Sequence, residues 1–185
     1  MQNIDNSAEE EAVKDEAREF MTGLTGSGGG GDTPMGARSS KGAEIVGRWK
    51  AAYKNNESFS WDNDDMMWSS FWKMSYDEAD SNENLEDTIA IVTTLLSQDG
   101  MKTPTMHANC FAVIHTLENL EIEGLFLFNG PDPEELFGAN SETSWYTWSQ
   151  LGPEATELVK NAVTELLRPV DGKLSGRAIK DTQVY

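Results

Sequence analysis

Apolar residues recur at helical spacing most regularly between Asn84 and Gly124. Leu85, Ile89, Val92, Leu95 and Leu96 fall on one helical face. Asn84 is a favoured N-cap residue, Asp87 stands at the third helical position, and Gly100 closes the segment. Thr103-Pro104 opens a second arm, because proline at the first helical position gives up no hydrogen bond. Met106, Cys110, Val113, Ile114, Leu117 and Leu120 then form its stripe as far as Gly124. The connection is short, so the pattern predicts two antiparallel helices that together make the core.

The flanking segments follow the same period. Ser7 to Leu24 reads as an amphipathic helix, with Val13, Ala17, Phe20, Met21 and Leu24 on its apolar face. Glu9, Glu10 and Glu11 occupy its first turn, where the helix dipole favours anions. Gly23 to Gly42 is glycine-rich, includes the run Gly28–Gly31 and has no periodicity, so a flexible linker is expected. Ile45, Val46, Trp49, Ala52 and Tyr53 line a helix from Gly42 to Asn55. Ser58 to Tyr76 is dense in aromatic residues and methionine. Helical spacing places Trp61, Trp68 and Trp72 on one face there, a composition common at interfaces.

Leu125 to Phe128 is a buried strand or a helix end, which periodicity does not decide. Asp132 caps a short helix ending at Gly138, and Trp145, Tyr146 and Trp148 form an aromatic knot. Ala155, Leu158, Val159, Ala162, Val163, Leu166 and Leu167 mark a last helix between Gly152-Pro153 and Pro169. Every strong signal is helical. The fold expected is therefore all-α, a compact bundle of about five or six helices with a flexible N-terminal arm. The expected divisions are an amphipathic helix at 1–24, a linker at 25–42, a helical domain at 43–169 and a C-terminal tail at 170–185.

Charge narrows the class of partner. The 185 residues carry a net charge of −18, which disfavours loose adhesion to nucleic acid or anionic lipid and favours basic partners; the plainer reading is solubility. The bases cluster at Arg38, Lys41, Arg48, Lys50 and Lys54 and again at Lys173, Arg177 and Lys180, outside an acidic body. No apolar run reaches the roughly 18 residues of a membrane span, and the acidic N-terminus lacks the pattern of a signal peptide. One cysteine suits a reducing compartment, so a cytoplasmic location is expected.

Candidate chemistry is thin. His107, Cys110 and His115 bring soft and imidazole ligands together, yet their spacing spreads them too far round a helix for one metal. Cys110 reads instead as a buried structural thiol. Asp62, Asp64 and Asp65 lack the glycine and the closing glutamate of a calcium loop. Gly28–Gly31 is followed by no Gly-Lys-Ser/Thr. No catalytic residues, no metal and no cofactor are expected, and the chain is read as no enzyme.

The leading functional reading is an acidic, non-enzymatic interaction protein, a build common among viral and phage regulatory proteins. It engages a protein partner with a basic or grooved surface through Val13, Phe20, Met21 and Leu24 of the tethered helix and Trp61, Trp68 and Trp72 of the body. The first alternative is a self-assembling subunit, such as a helical virus coat protein or nucleoprotein. Arg48, Lys50, Lys54, Lys173 and Arg177 then face nucleic acid. The second alternative is a nucleic-acid mimic built from the body's carboxylates.

Overall fold

The computed structural model describes residues 39–185 apart from 63, 104, 105, 107 and 108. The unit Ser40–Tyr185 is organised around a six-stranded, antiparallel, curled sheet and is not an all-α bundle. Its strands are β1 (Ser69–Tyr76), β2 (Cys110–Leu117), β3 (Ile122–Asn129), β4 (Tyr146–Leu151), β5 (Lys173–Leu174) and β6 (Arg177–Val184). They lie in the order β4-β1-β3-β2-β6-β5. The helices are α1 (Ser40–Lys54), the single turn α2 (Asp65–Trp68), α3 (Leu85–Leu96), α4 (Glu134–Ala139) and α5 (Glu157–Leu167).

The predicted second arm of the helical hairpin is the strand pair β2–β3. Cys110 lies opposite Phe128 and Thr116 opposite Ile122. The cause of the discrepancy is burial: every residue of β2 is buried, and all but Glu123 of β3. A strand covered on both faces reads as a continuous apolar run, and a continuous run satisfies a helical stripe as readily as a pleat. The true period is two. Phe111, Val113, Leu117, Leu125 and Leu127 join Phe71 in one core with Ile45, Val46 and Trp49 of α1 and Val163, Leu166 and Leu167 of α5. Cys110, Ala112, Ile114, Ile122, Phe126 and Phe128 join Met74 in a second core with Val92 and Leu95 of α3 and Leu136 of α4. The sheet is thus covered by helices on both faces.

Other elements divide in the same way. The N-cap of α3 forms as its sequence implies, Asn84 accepting from the Asp87 N–H at 2.8 Å. Asp132 likewise accepts from the N–H of Glu134 at the start of α4. The last helix starts five residues beyond Gly152, where Thr156 caps it. Ser58 to Tyr76 holds the turn α2 and strand β1 in place of a long helix. Residues 173–184, within the expected tail, form a hairpin whose turn residues Ser175 and Gly176 both have positive φ, 53° and 81°. Two such residues fit the twist of a tight hairpin. Gly124 sits within β3, where a Cβ would stand 2.7 Å from the Val113 carbonyl oxygen, so only glycine admits this approach of β2.

Candidate functional site

Val13, Phe20, Met21 and Leu24 lie outside the described residues. The three tryptophans assigned to one helical face do not share a face. Trp61 and Trp68 are half-buried against the α1 core, with the Trp61 ring 5.0 Å from Trp49 and 5.2 Å from Phe71. Trp72 is opposite Phe126 in register and so faces the other side of β1, its indole N–H donating to Ser70 Oγ at 2.9 Å. The strand period separates what a helical period had joined.

The bases of the nucleic-acid reading are also dispersed. Arg48 is ion-paired with Asp65, whose fully buried carboxylate also accepts from the Trp49 indole at 3.3 Å and from the Asp62 N–H at 3.0 Å. Arg177 is held by Glu121 and Glu123. The Lys50 ammonium lies 5.4 Å from the Tyr185 ring centroid, where partial burial lowers its pKa. Lys54 and Lys173 are exposed.

Cys110 and His115 occupy opposite faces of β2, so these two side chains do not meet. Cys110 is buried, and burial pushes its thiol up to about 12. The His115 Nε2–H donates to the Leu166 carbonyl, and Nδ1 accepts from the Thr182 hydroxyl at 2.9 Å. Burial pushes the pKa of this imidazole down. His107 lies outside the described residues. Among the described residues, no three carboxylate, thiol or imidazole groups converge as a metal site.

The most distinctive surface is the free edge of the sheet at β4. Among the described residues this strand pairs only with β1, Tyr146 opposite Tyr76 and Leu151 opposite Phe71. The Asp77 N–H donates to the Trp145 carbonyl at 3.0 Å. Alternation of an antiparallel ladder then turns the backbone groups of Tyr146, Trp148 and Gln150 away from β1, where the Tyr146 N–H donates to the Thr143 carbonyl. The strand reads Tyr-Thr-Trp-Ser-Gln-Leu and holds no charge and no proline. At the opposite edge the two-residue strand β5 pairs with Arg177 and Ala178 of β6, and β6 beyond them carries Lys180 and Asp181, charges of the kind that deter pairing with another chain.

Two clefts flank this edge. One, of about 410 Å³, is lined by Phe137 of α4, by Ser141, Thr143 and Ser144, and by Tyr146 and Trp148. The other, of about 200 Å³, is lined by Tyr76, Ile91, Thr94, Glu142, Trp145 and Tyr146. Among the described residues, no lysine or arginine lines either. The larger cleft has a firm floor. The Trp148 ring packs 5.0 Å from Phe126 and 5.3 Å from Phe137, and its indole donates to the Thr143 carbonyl at 3.1 Å. Asn140 holds the loop between α4 and β4, donating to the Leu95 carbonyl at 2.7 Å and accepting from the Glu142 N–H at 3.0 Å. Trp145 is 51% exposed and Phe137 38%. The Tyr146 side chain is buried, yet among the described residues its hydroxyl has no hydrogen-bond partner.

Sequence reasoning singled out Trp145, Tyr146 and Trp148 as an aromatic group but missed Phe137, Tyr76 and Glu142, which only the fold brings there. The signal for the edge was the alternation of aromatic and polar residues from Tyr146 to Gln150. No protein-family profile matches the chain, and no curated protein matches it in sequence.

Proposed function

We propose that the chain is a non-enzymatic interaction protein whose β4 edge receives an extended, basic segment of a protein partner by strand addition. The carrying observation is an uncharged, aromatic edge strand on a chain of net charge −18. An edge of this kind is a liability in a solitary protein and an asset in one that pairs with another chain. Main-chain bonds to Trp148, to Gln150 and to the Tyr146 carbonyl supply affinity, and the larger cleft takes alternate side chains of the added strand. The partner is basic because Glu142 lines the smaller cleft, no base among the described residues lines either cleft and the chain's net charge is negative. The single thiol, buried as Cys110, suits action in a reducing compartment such as the cytoplasm.

The test is fluorescence anisotropy with a labelled peptide of alternating arginine and valine, titrated with the full-length protein. A peptide of the same sequence with alternate backbone nitrogens methylated keeps the charge and cannot pair as a strand. The expected result is at least about tenfold weaker binding of the methylated peptide, the loss of one to two good hydrogen bonds. Gln150→Pro, which removes one outward N–H and leaves the β1 ladder intact, produces a similar loss. Equal affinity for both peptides contradicts strand addition. A concentration-dependent dimer without peptide shows instead that the edge pairs with a second copy, as the self-assembly reading requires.

A further inference from the structure

The smaller cleft at the end of β4 has a chemistry of its own. Three aromatic side chains, Tyr76, Trp145 and Tyr146, line it together with the Glu142 carboxylate. The Tyr76 and Tyr146 rings stand 5.3 Å apart at 59°, forming a corner with no parallel stack. Ring faces attract cations, and a carboxylate beside them adds a full negative charge. Tyr146 is itself buried, and among the described residues its hydroxyl has no hydrogen-bond partner. A buried hydroxyl left unmatched is costly unless a ligand completes it. Burial and the neighbouring acids push both phenols up, so they stay neutral at physiological pH.

We infer that this cleft is a cation-recognition pocket for an arginine side chain of the basic segment, with Tyr76 and Trp145 facing the guanidinium, Glu142 pairing with it and the Tyr146 hydroxyl accepting one of its N–H groups. This assignment rests on the strand-addition reading for its source of arginine. The choice among cations follows from the walls. A quaternary ammonium satisfies the rings but has no N–H for Tyr146 or Glu142. A guanidinium is planar, weakly hydrated and rich in donors, so it stacks and hydrogen-bonds together where a compact, strongly hydrated ammonium does so less well. The Ile91 and Thr94 side chains of α3 complete the cleft and give the methylene stem an apolar contact.

The experiment uses the full chain labelled with ¹⁵N, with the Trp145 indole N–H resonance assigned through Trp145→Phe. Ethylguanidinium and tetramethylammonium are titrated at constant ionic strength. Ethylguanidinium is expected to shift this resonance saturably, and tetramethylammonium to bind about fivefold more weakly or less. Glu142→Gln and Tyr146→Phe each weaken ethylguanidinium by about fivefold or more. Tyr146→Phe keeps the ring and removes an unmatched hydroxyl, so its melting temperature stays equal or rises and loss of fold does not explain the effect. No saturable shift, equal binding of the two cations, or wild-type affinity in Tyr146→Phe overturns the assignment. The arginine–valine peptide separates the two readings. A peptide that pairs through its backbone but binds equally well with citrulline in place of arginine sinks the pocket alone. Ethylguanidinium binding alongside indifference to backbone methylation sinks strand addition alone.

Discussion

Ile114 and Leu117 are three residues apart and fully buried. On a helix they lie side by side, with Cβ atoms about 5–6 Å apart. On β2 they point to opposite faces, Ile114 into the core under α3 and α4 and Leu117 into the core under α1 and α5. Ile114→Val removes one methylene and costs ~0.5–1.5 kcal/mol. Leu117→Val removes one methylene and changes the branching, which costs ~1–2 kcal/mol from about 0.8 of transfer plus imperfect repacking. Both variants stay folded, so a double-mutant cycle is measurable by urea denaturation. The sheet lies between the two sites, and the double variant is expected to lose the sum of the single losses to within ~0.5 kcal/mol. A coupling above ~1 kcal/mol means that the two side chains share one cavity, and it refutes the two-core arrangement.

Further outcomes follow from how individual positions are packed. Cys110 reacts slowly with a disulfide reagent in the native protein and fast in urea, because its thiol is buried and its pKa stands near 12; rapid native labelling contradicts its placement. The folded-state pKa of His115 lies below its ordinary ~6.5, so the unfolded chain binds a proton that the folded chain refuses. Its contribution is therefore intact above about pH 6.5 and is lost as pH falls from there towards the folded-state value. His115→Gln flattens the fall in urea midpoint between pH 7.5 and 5.5, and an unchanged fall contradicts the burial argument. Gly124→Ala drives a Cβ against the Val113 carbonyl and the Ile114 Cα at 3.0 Å, both backbone of β2, and destabilises by ~1–3 kcal/mol. Gly47→Ala, with nothing within 4 Å, stabilises by ~0.5–1 kcal/mol in the same melts.

What the sequence made legible depended on how many faces of an element are covered. Helix α3 has one covered face, and its cap and its buried Val92 and Leu95 follow from Asn84, Asp87 and the 3.6 period. Helix α1 likewise buries the expected Ile45, Val46 and Trp49. Strand β2 is covered on both faces, so its positions 110, 113, 114 and 117 matched a helical stripe because every position was apolar or buried. Its β-branched Val113, Ile114 and Thr116 were the counter-signal. Strand β6 failed the opposite way. Much of it is exposed, so Arg177 to Val184 showed no period at all. The edge site combined both difficulties. Tyr146 and Trp148 announce themselves locally, whereas Tyr76, Phe137 and Glu142 reach the clefts from three other segments through the β1–β4 pairing and the α4 turn.

The proposal that β4 offers its outer backbone to a partner is tested directly by native-state hydrogen exchange of the Trp148 and Gln150 amides. In the free chain these two amides are expected to exchange rapidly, while Thr147 and Ser149, whose backbone faces β1, are protected. Adding the arginine–valine peptide is expected to slow the two outward amides and leave the others unchanged. Outward amides that are already protected in the dilute free chain, or that remain fast with the peptide bound, contradict the account.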